Sequence, residues 1–191
     1  HLMNSLTPQM YEELRDIAEE ISSDSRAKGV IIRGAGGRSF VAGSDIAAFR
    51  DIKSGDDGIA YEARVERAFS AIRDIPVPVV AAIDGWAIGG GLCLAAVCDL
   101  RNATTNSKFG APVARNLGNC LSRFNCDQLV SVYGHATAAR FLMLGEVFEA
   151  NSSEIRPTLA RLTSSEEFDR SIEETASRLE ASALLSLRAM K

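Results

Sequence analysis

The sequence predicts an α/β fold, and three observations carry that prediction. Amphipathic helical stretches alternate with short extended runs along most of the chain. One run, Val77 to Ile83, is apolar throughout instead of alternating, as a strand covered on both faces requires. Glycine clusters stand at the ends of extended runs, at Gly34-Ala35-Gly36-Gly37 and at Gly89-Gly90-Gly91. With 46% hydrophobic and 24% charged residues over 191 positions, the chain has the apolar content for one substantial core.

Thr7-Pro8 opens the first helix, with Thr as N-cap and Pro at the first helical position, and Met10, Leu14, Ile17 and Ile21 recur on one face to about Ser22. After the turn Ala27-Lys28-Gly29, Val30 to Arg33 is a β-branched strand. Phe40 to Asp45 follows, rich in small residues, and Asp45 caps a short helix that Ile46 begins. A polar link, Lys53 to Gly58, leads into a second helix carrying Tyr61, Val65, Ala68, Phe69 and Ile72 on its apolar face. The strand from Val77 to Ile83 and the triple glycine then feed a third helix, Leu92 to Val97. Further extended segments are expected at Arg101 to Thr104 and from Lys108 to Pro112. Asn125 to Leu144 is helical in pattern and broken near Gly134-His135. Thr163 to Glu167 reads as a capping box for a last helix, with Phe168, Ile172, Ala176, Leu179 and Ala183 on one face. The division expected is a core over 1–150 and a helical region over 151–191, with His1 set aside as a terminal addition.

Several classes of function are excluded. The 21 Lys and Arg against 25 Asp and Glu leave a net charge of -4, which gives no electrostatic reason to expect a nucleic-acid partner. No apolar run approaches the roughly 18 residues a membrane span needs, and the N-terminus has neither a basic nor an apolar leader region. Cys93, Cys98, Cys120 and Cys126 follow neither a disulfide framework nor a paired metal motif, so free thiols in a reducing cytoplasm, and no metal, are expected. Ser39 stands where a dinucleotide fingerprint starting at Gly34 needs its third glycine, and neither a P-loop nor a Gly-x-Ser-x-Gly elbow is present.

What remains is chemistry made by backbone. The first turn of a helix presents N–H groups with no intrahelical partner, and glycine lets a ligand oxygen come close to them. Gly89 to Gly91 build such a turn, and Ala42 to Ile46 build a second with the same small-residue logic. If the two converge, their N–H groups form a site for an enolate or tetrahedral oxyanion. Tight turns and close helix–sheet packing explain either cluster alone equally well.

Together and in this order, SFVAGSDI, IPVPVVAAIDGWAIGGGLCLAAVCDL and KFGAPVARNLG resemble the enoyl-CoA hydratase/isomerase (crotonase) superfamily, over Asn4 to about Leu144. The resemblance implies a spiral of ββα units with a helical C-terminal region that binds an acyl-CoA thioester. Coenzyme A then enters only as part of the substrate, with no separate cofactor. The two N–H groups that hold the thioester oxygen fall on Ser44 and Gly90, and Ala42, Asp45, Ile46 and Gly89 match the substrate-binding segments. Hydratases of the family place two glutamates where this chain has Cys93 and Val113, so both usual carboxylates are absent. A valine moves no proton, and a thiol in apolar surroundings stays protonated, so Cys93 reads first as packing and second as a nucleophile. Asn119, Cys120 and Ser122 are candidates to orient a water or substrate group, and Arg115 to pair with a substrate carboxylate. For Asn119 and Ser122 the alternative is a local backbone hydrogen bond. His135 reads as a turn or cap residue.

The resemblance further implies a homotrimer or dimer of trimers, a strand hairpin before Asn4, and an additional helix and strand after Leu144. Phe148-Glu149-Ala150 instead passes straight into Asn151-Ser152-Ser153, where missing residues are expected. Two functions stand open: an enzyme of the hydratase/isomerase type that stabilises a thioester enolate, and a protein of the same fold that binds CoA thioesters without chemistry.

Overall fold

Helix α1 (Pro8–Ser23) starts where the sequence places it: the Thr7 hydroxyl accepts the Met10 N–H, and Pro8 occupies the first turn. Its buried face differs from the expected one. Tyr11 and Ala18 are buried, Leu14 and Ile21 are partly covered, and Ile17 is 52% exposed, so the helix is rotated to bring Tyr11 inward. The computed structural model describes residues 3–191, and His1 lies outside them.

Three successive ββα turns follow. The first is β1 (Val30–Arg33), β2 (Ser39–Val41) and α2 (Gly55–Arg73), with a 3-10 turn at Ile46–Asp51 before the helix. Next come β3 (Val79–Ile83), β4 (Trp86–Ile88) and α3 (Gly90–Val97). The third comprises β5 (Leu100–Thr104), β6 (Lys108–Gly110), the short α4 (Val113–Leu117) and α5 (Arg123–Ala139). Each turn lays one strand in each of two sheets. Including β7 (Val147–Glu149) and β8 (Arg161–Thr163), the sheet orders are β1-β3-β5-β8 and β2-β4-β6-β7. All neighbours pair parallel except β6 with β7. This is the spiral the resemblance implies. Strand β4 was not expected: three residues are too few to show a period, and the stretch reads as part of the glycine loop.

Strand β3 is buried at all five positions, as its unbroken apolar run demands. Tyr61, Val65, Ala68, Phe69 and Ile72 form the buried face of α2, whose N-terminus carries a reciprocal cap between Ser54 and Asp57. The long helical pattern ending at Leu144 breaks at Gly134 (φ 76, ψ 156) and finishes as a wider turn over Arg140–Leu144. After β7, Ala150 N–H donates to the Ser107 carbonyl at 2.9 Å and Ser152 N–H to that of Glu149 at 3.0 Å, which ties 150–152 to the second sheet.

Beyond residue 150 the chain contributes β8 to the first sheet before α6 (Phe168–Glu180) and α7 (Leu184–Met190). The expected capping box does not form. Thr163 lies in β8, and Glu167 is the N-cap without a side-chain cap bond, because pairing with β5 holds 161–163 extended. The buried face of α6 is Phe168, Ser171, Ile172 and Thr175, while Ala176 and Leu179 are half-covered and Ala183 is exposed beyond the helix. Asn102, buried on β5, accounts for the polar members: its Nδ2 donates to Thr175 Oγ1 at 2.8 Å and to the Ser171 carbonyl at 3.3 Å. Among the described residues, no helix is long and apolar enough to cross a membrane.

Candidate active site

Strands β2, β4 and β6 lie side by side and run parallel, so the turns leaving their C-terminal ends converge on one cleft. Ala42, Gly43, Ser44 and Ile46 come from the first turn, Gly89, Gly90 and Cys93 from the second, and Pro112 and Val113 from the third. The two glycine clusters that the sequence left as separate turns are thus neighbours.

Hydrogen bonding leaves two N–H groups unused at this junction. Leu6 N–H donates to the Gly43 carbonyl at 2.9 Å, and Asp45 N–H donates to the Leu6 carbonyl at 2.8 Å. In such a parallel bridge the intervening residue turns its own N–H to the opposite side, and Ser44 is that residue. In the second turn Gly89 N–H donates to the Gly110 carbonyl at 2.8 Å and Cys93 N–H closes on the Gly89 carbonyl at 3.1 Å. Gly90 opens α3, and neither its N–H nor that of Ser44 has a backbone or side-chain acceptor among the described residues. A methyl group built on Gly90 would lie 3.7 Å from Ser44 N, 3.5 Å from Ser44 Oγ and 2.9 Å from Tyr11 Oη. The two residues therefore face each other.

The glycines have distinct roles. Gly89 adopts φ 54, ψ -115, a conformation that L side chains rarely enter, and this sharp turn aims the start of α3 at the cleft. Gly91 lies against the backbone of Val41, so a side chain there would collide with β2.

Side chains close the rest of the cleft. The Tyr11 and Ser44 hydroxyls are 2.8 Å apart, and burial pushes the Tyr11 phenol well above its ordinary range. The Tyr61 hydroxyl is buried close enough to Ser44 and Tyr11 to feel both, but meets hydrogen-bond geometry with no partner among the described residues. Cys93 is fully buried in α3, and loss of solvation lifts its thiol far above the usual value. Glu62 also lines the cleft, with Oε2 accepting the Ser122 N–H at 3.2 Å. Burial raises the Glu62 carboxyl, the charge of Glu66 adds to the effect, and the Ser122 N–H opposes it.

The remaining sequence candidates divide. Asn119 lines the cleft, while its Oδ1 accepts the Cys120 N–H at 2.8 Å. Ser122 caps α5 by accepting the Asn125 N–H at 3.3 Å and does not line the cleft. Asp45 caps the 3-10 turn through the Ala47 N–H at 3.0 Å and faces a neighbouring hollow. Arg115 is exposed on α4 beside Gly145, outside the cleft, and His135 is exposed within α5. Sequence reasoning missed Tyr11, Tyr61, Glu62 and Asn125 as cleft residues. Asn125 is 1% exposed with an unpartnered Oδ1. For Glu62 a signal existed: it borders the Tyr61–Val65–Phe69 stripe of α2.

Known proteins resemble the chain in both sequence and fold. Residues 1–191 match the family model described as enoyl-CoA hydratase/isomerase. The chain is 30% identical over 189 residues to a crotonyl-CoA hydratase of Syntrophomonas wolfei, an alignment covering 99% of this chain and 72% of that protein. It is 34% identical over 143 residues to a probable enoyl-CoA hydratase of Bacillus subtilis, covering 75% of this chain and 55% of that one. Among solved structures, an enoyl-CoA hydratase/carnithine racemase from Magnetospirillum magneticum superposes with a TM-score of 0.94 at 32% identity, covering 98% of this chain and 70% of that one.

Proposed function

The chain belongs to the enoyl-CoA hydratase/isomerase family, and from that premise we propose that it binds an acyl-CoA thioester and acts on it through an enolate. The thioester oxygen accepts hydrogen bonds from the Ser44 and Gly90 N–H groups, which stabilise the negative charge that builds there as the α-carbon loses a proton. The observation that supports this most is the pair of unpartnered N–H groups on the neighbouring residues Ser44 and Gly90, at the ends of β2 and β4. Coenzyme A is carried in as part of the substrate, without a metal or second cofactor, and the working assembly is a cytoplasmic homotrimer or dimer of trimers.

A second reading has an observation in its favour. Cys93 and Val113 occupy the positions where hydratases of the family have glutamates, so a protein that retains CoA thioesters without reacting them is the alternative.

Deuterium exchange separates the two. Incubated with butyryl-CoA or octanoyl-CoA in deuterated water, the protein is expected to exchange the α-hydrogen, read by mass spectrometry. Binding without exchange across such a panel would favour the non-catalytic reading. Gly90→Ala places a methyl between Tyr11 Oη and Ser44, and exchange is expected to fall by about 100-fold, the scale of losing one oxyanion donor. Exchange at the wild-type rate in that variant would remove Gly90 from the site.

A further inference from the structure

An enolate mechanism needs a base, and the positions at which the family's glutamates would stand hold a thiol and an alkyl side chain. The described residues that line the cleft include one carboxylate, Glu62, contributed by α2. Resting on the thioester reading above, we propose that the Glu62 carboxylate is the group that removes and returns the α-proton.

Three features of its setting support this. Glu62 shares the cleft with Ser44 and Gly90, so a thioester held by those N–H groups lies in the same enclosure as the base. It is half-buried and takes part in no ion pair among the described residues, so no cation quenches its basicity. Its Oε2 is held by the Ser122 N–H at the start of α5, which fixes the side chain while Oε1 has no hydrogen-bond partner among the described residues. The titratable groups around it are Tyr61 and Glu66 on α2, Cys93 on α3 and Cys126 on α5, all neutral or anionic, so none favours the charged form. A carboxylate so placed has a pKa moved toward neutrality, where proton transfer in both directions is efficient.

The step balances with this one group. Glu62 takes the α-proton, the Cα–H pair becomes the Cα=C double bond of the enolate, and the thioester π pair moves onto the oxygen held by Ser44 and Gly90. Return of the same proton to the α-carbon regenerates the substrate. With a 3-enoyl thioester, its return to the γ-carbon gives the 2-enoyl isomer and needs no co-reactant.

Glu62→Gln tests the assignment, since the amide keeps an oxygen for the Ser122 N–H but cannot take the proton. Exchange of butyryl-CoA in deuterated water, and isomerisation of 3-hexenoyl-CoA, are expected to fall by about 1,000-fold. Calorimetric Kd for butyryl-CoA and the thermal midpoint should stay near wild type, and Glu66→Gln, one turn away, should keep exchange within about threefold while moving its acid midpoint down. In wild type the exchange rate should fall on acidification through a midpoint above the ordinary glutamate value of about 4.3. Glu62→Asp should retain part of the rate and an acid limb with a shifted midpoint. If wild type exchanges and Glu62→Gln exchanges equally well, Glu62 is not the base, while the thioester reading stands. If wild type binds butyryl-CoA but exchanges none of the panel, the enolate reading falls and this assignment falls with it.

Discussion

On one side of the cleft the chemistry is carried by backbone, from Ala42 to Ser44 and from Gly89 to Gly91; on the other it is carried by side chains from α1, α2 and α5. The backbone wall is built within two adjacent parallel strands and their exits, so its geometry is fixed by sheet pairing. The side-chain wall assembles Tyr11, Tyr61, Glu62 and Asn125 from helices far apart in the chain. A backbone donor cannot be exchanged without rebuilding the turn, whereas a side chain can be replaced one residue at a time. The backbone wall is therefore the constrained half of the cleft, and the side-chain wall the half that single substitutions can alter.

The largest expected effect follows from breaking the backbone wall. A Cβ on Gly91 would collide with the Val41 carbonyl oxygen and sit 2.8 Å from its carbon, and that carbon belongs to β2 itself. Gly91→Ala must displace β2 or α3, and β2 leads directly into Ser44. We expect a loss of about 3 kcal/mol in urea unfolding, together with loss of acyl-CoA binding. A loss below about 1 kcal/mol, the range of an ordinary substitution, would mean that the strand yields freely and that the backbone wall is not rigid.

The same contrast governs what was legible beforehand. Glycines needed for a positive φ or a close approach announce themselves one residue at a time, so the turns at Ser44 and Gly90 could be found from a single sequence. Caps such as Thr7 and Asp45 are local as well, and both form. Thr163 to Glu167 fails as a cap because β8 pairs with β5, a contact between residues about sixty positions apart that no local pattern reports. Tyr11 was hidden by a small rotation of α1, and Glu62 by being a charged residue at the border of an apolar face. Strand β4 was hidden by its length of three residues.

A smaller effect is expected at Cys93, which α3 carries into the cleft between the two walls. Cys93 is wholly buried, with a thiol that burial keeps protonated, so it acts as a small apolar group. Cys93→Ala should cost about 1 kcal/mol in stability through the space it leaves. Butyryl-CoA exchange should change by no more than about threefold, less than 1 kcal/mol of barrier. A fall of about 100-fold, equivalent to nearly 3 kcal/mol, would make Cys93 a reacting group and place chemistry on α3 instead of α2.

The smallest effect is expected at Tyr61, and it sharpens the comparison most finely. Tyr11 and Tyr61 both bury their rings beside Ser44, but only the Tyr11 hydroxyl has a partner within the described residues. A buried polar group without a partner lowers stability, so Tyr61→Phe should leave the free protein unchanged or more stable by about 1 kcal/mol. The gain should reverse on adding butyryl-CoA if the hydroxyl donates to the bound thioester, because the variant then gives up a hydrogen bond that only the complex makes. Thermal midpoints of wild type and Tyr61→Phe, with and without butyryl-CoA, read this directly. A variant less stable than wild type before any ligand is added would show that the Tyr61 hydroxyl is tied into the free structure. The side-chain wall would then be a prebuilt network like the backbone wall opposite, not one completed by its substrate.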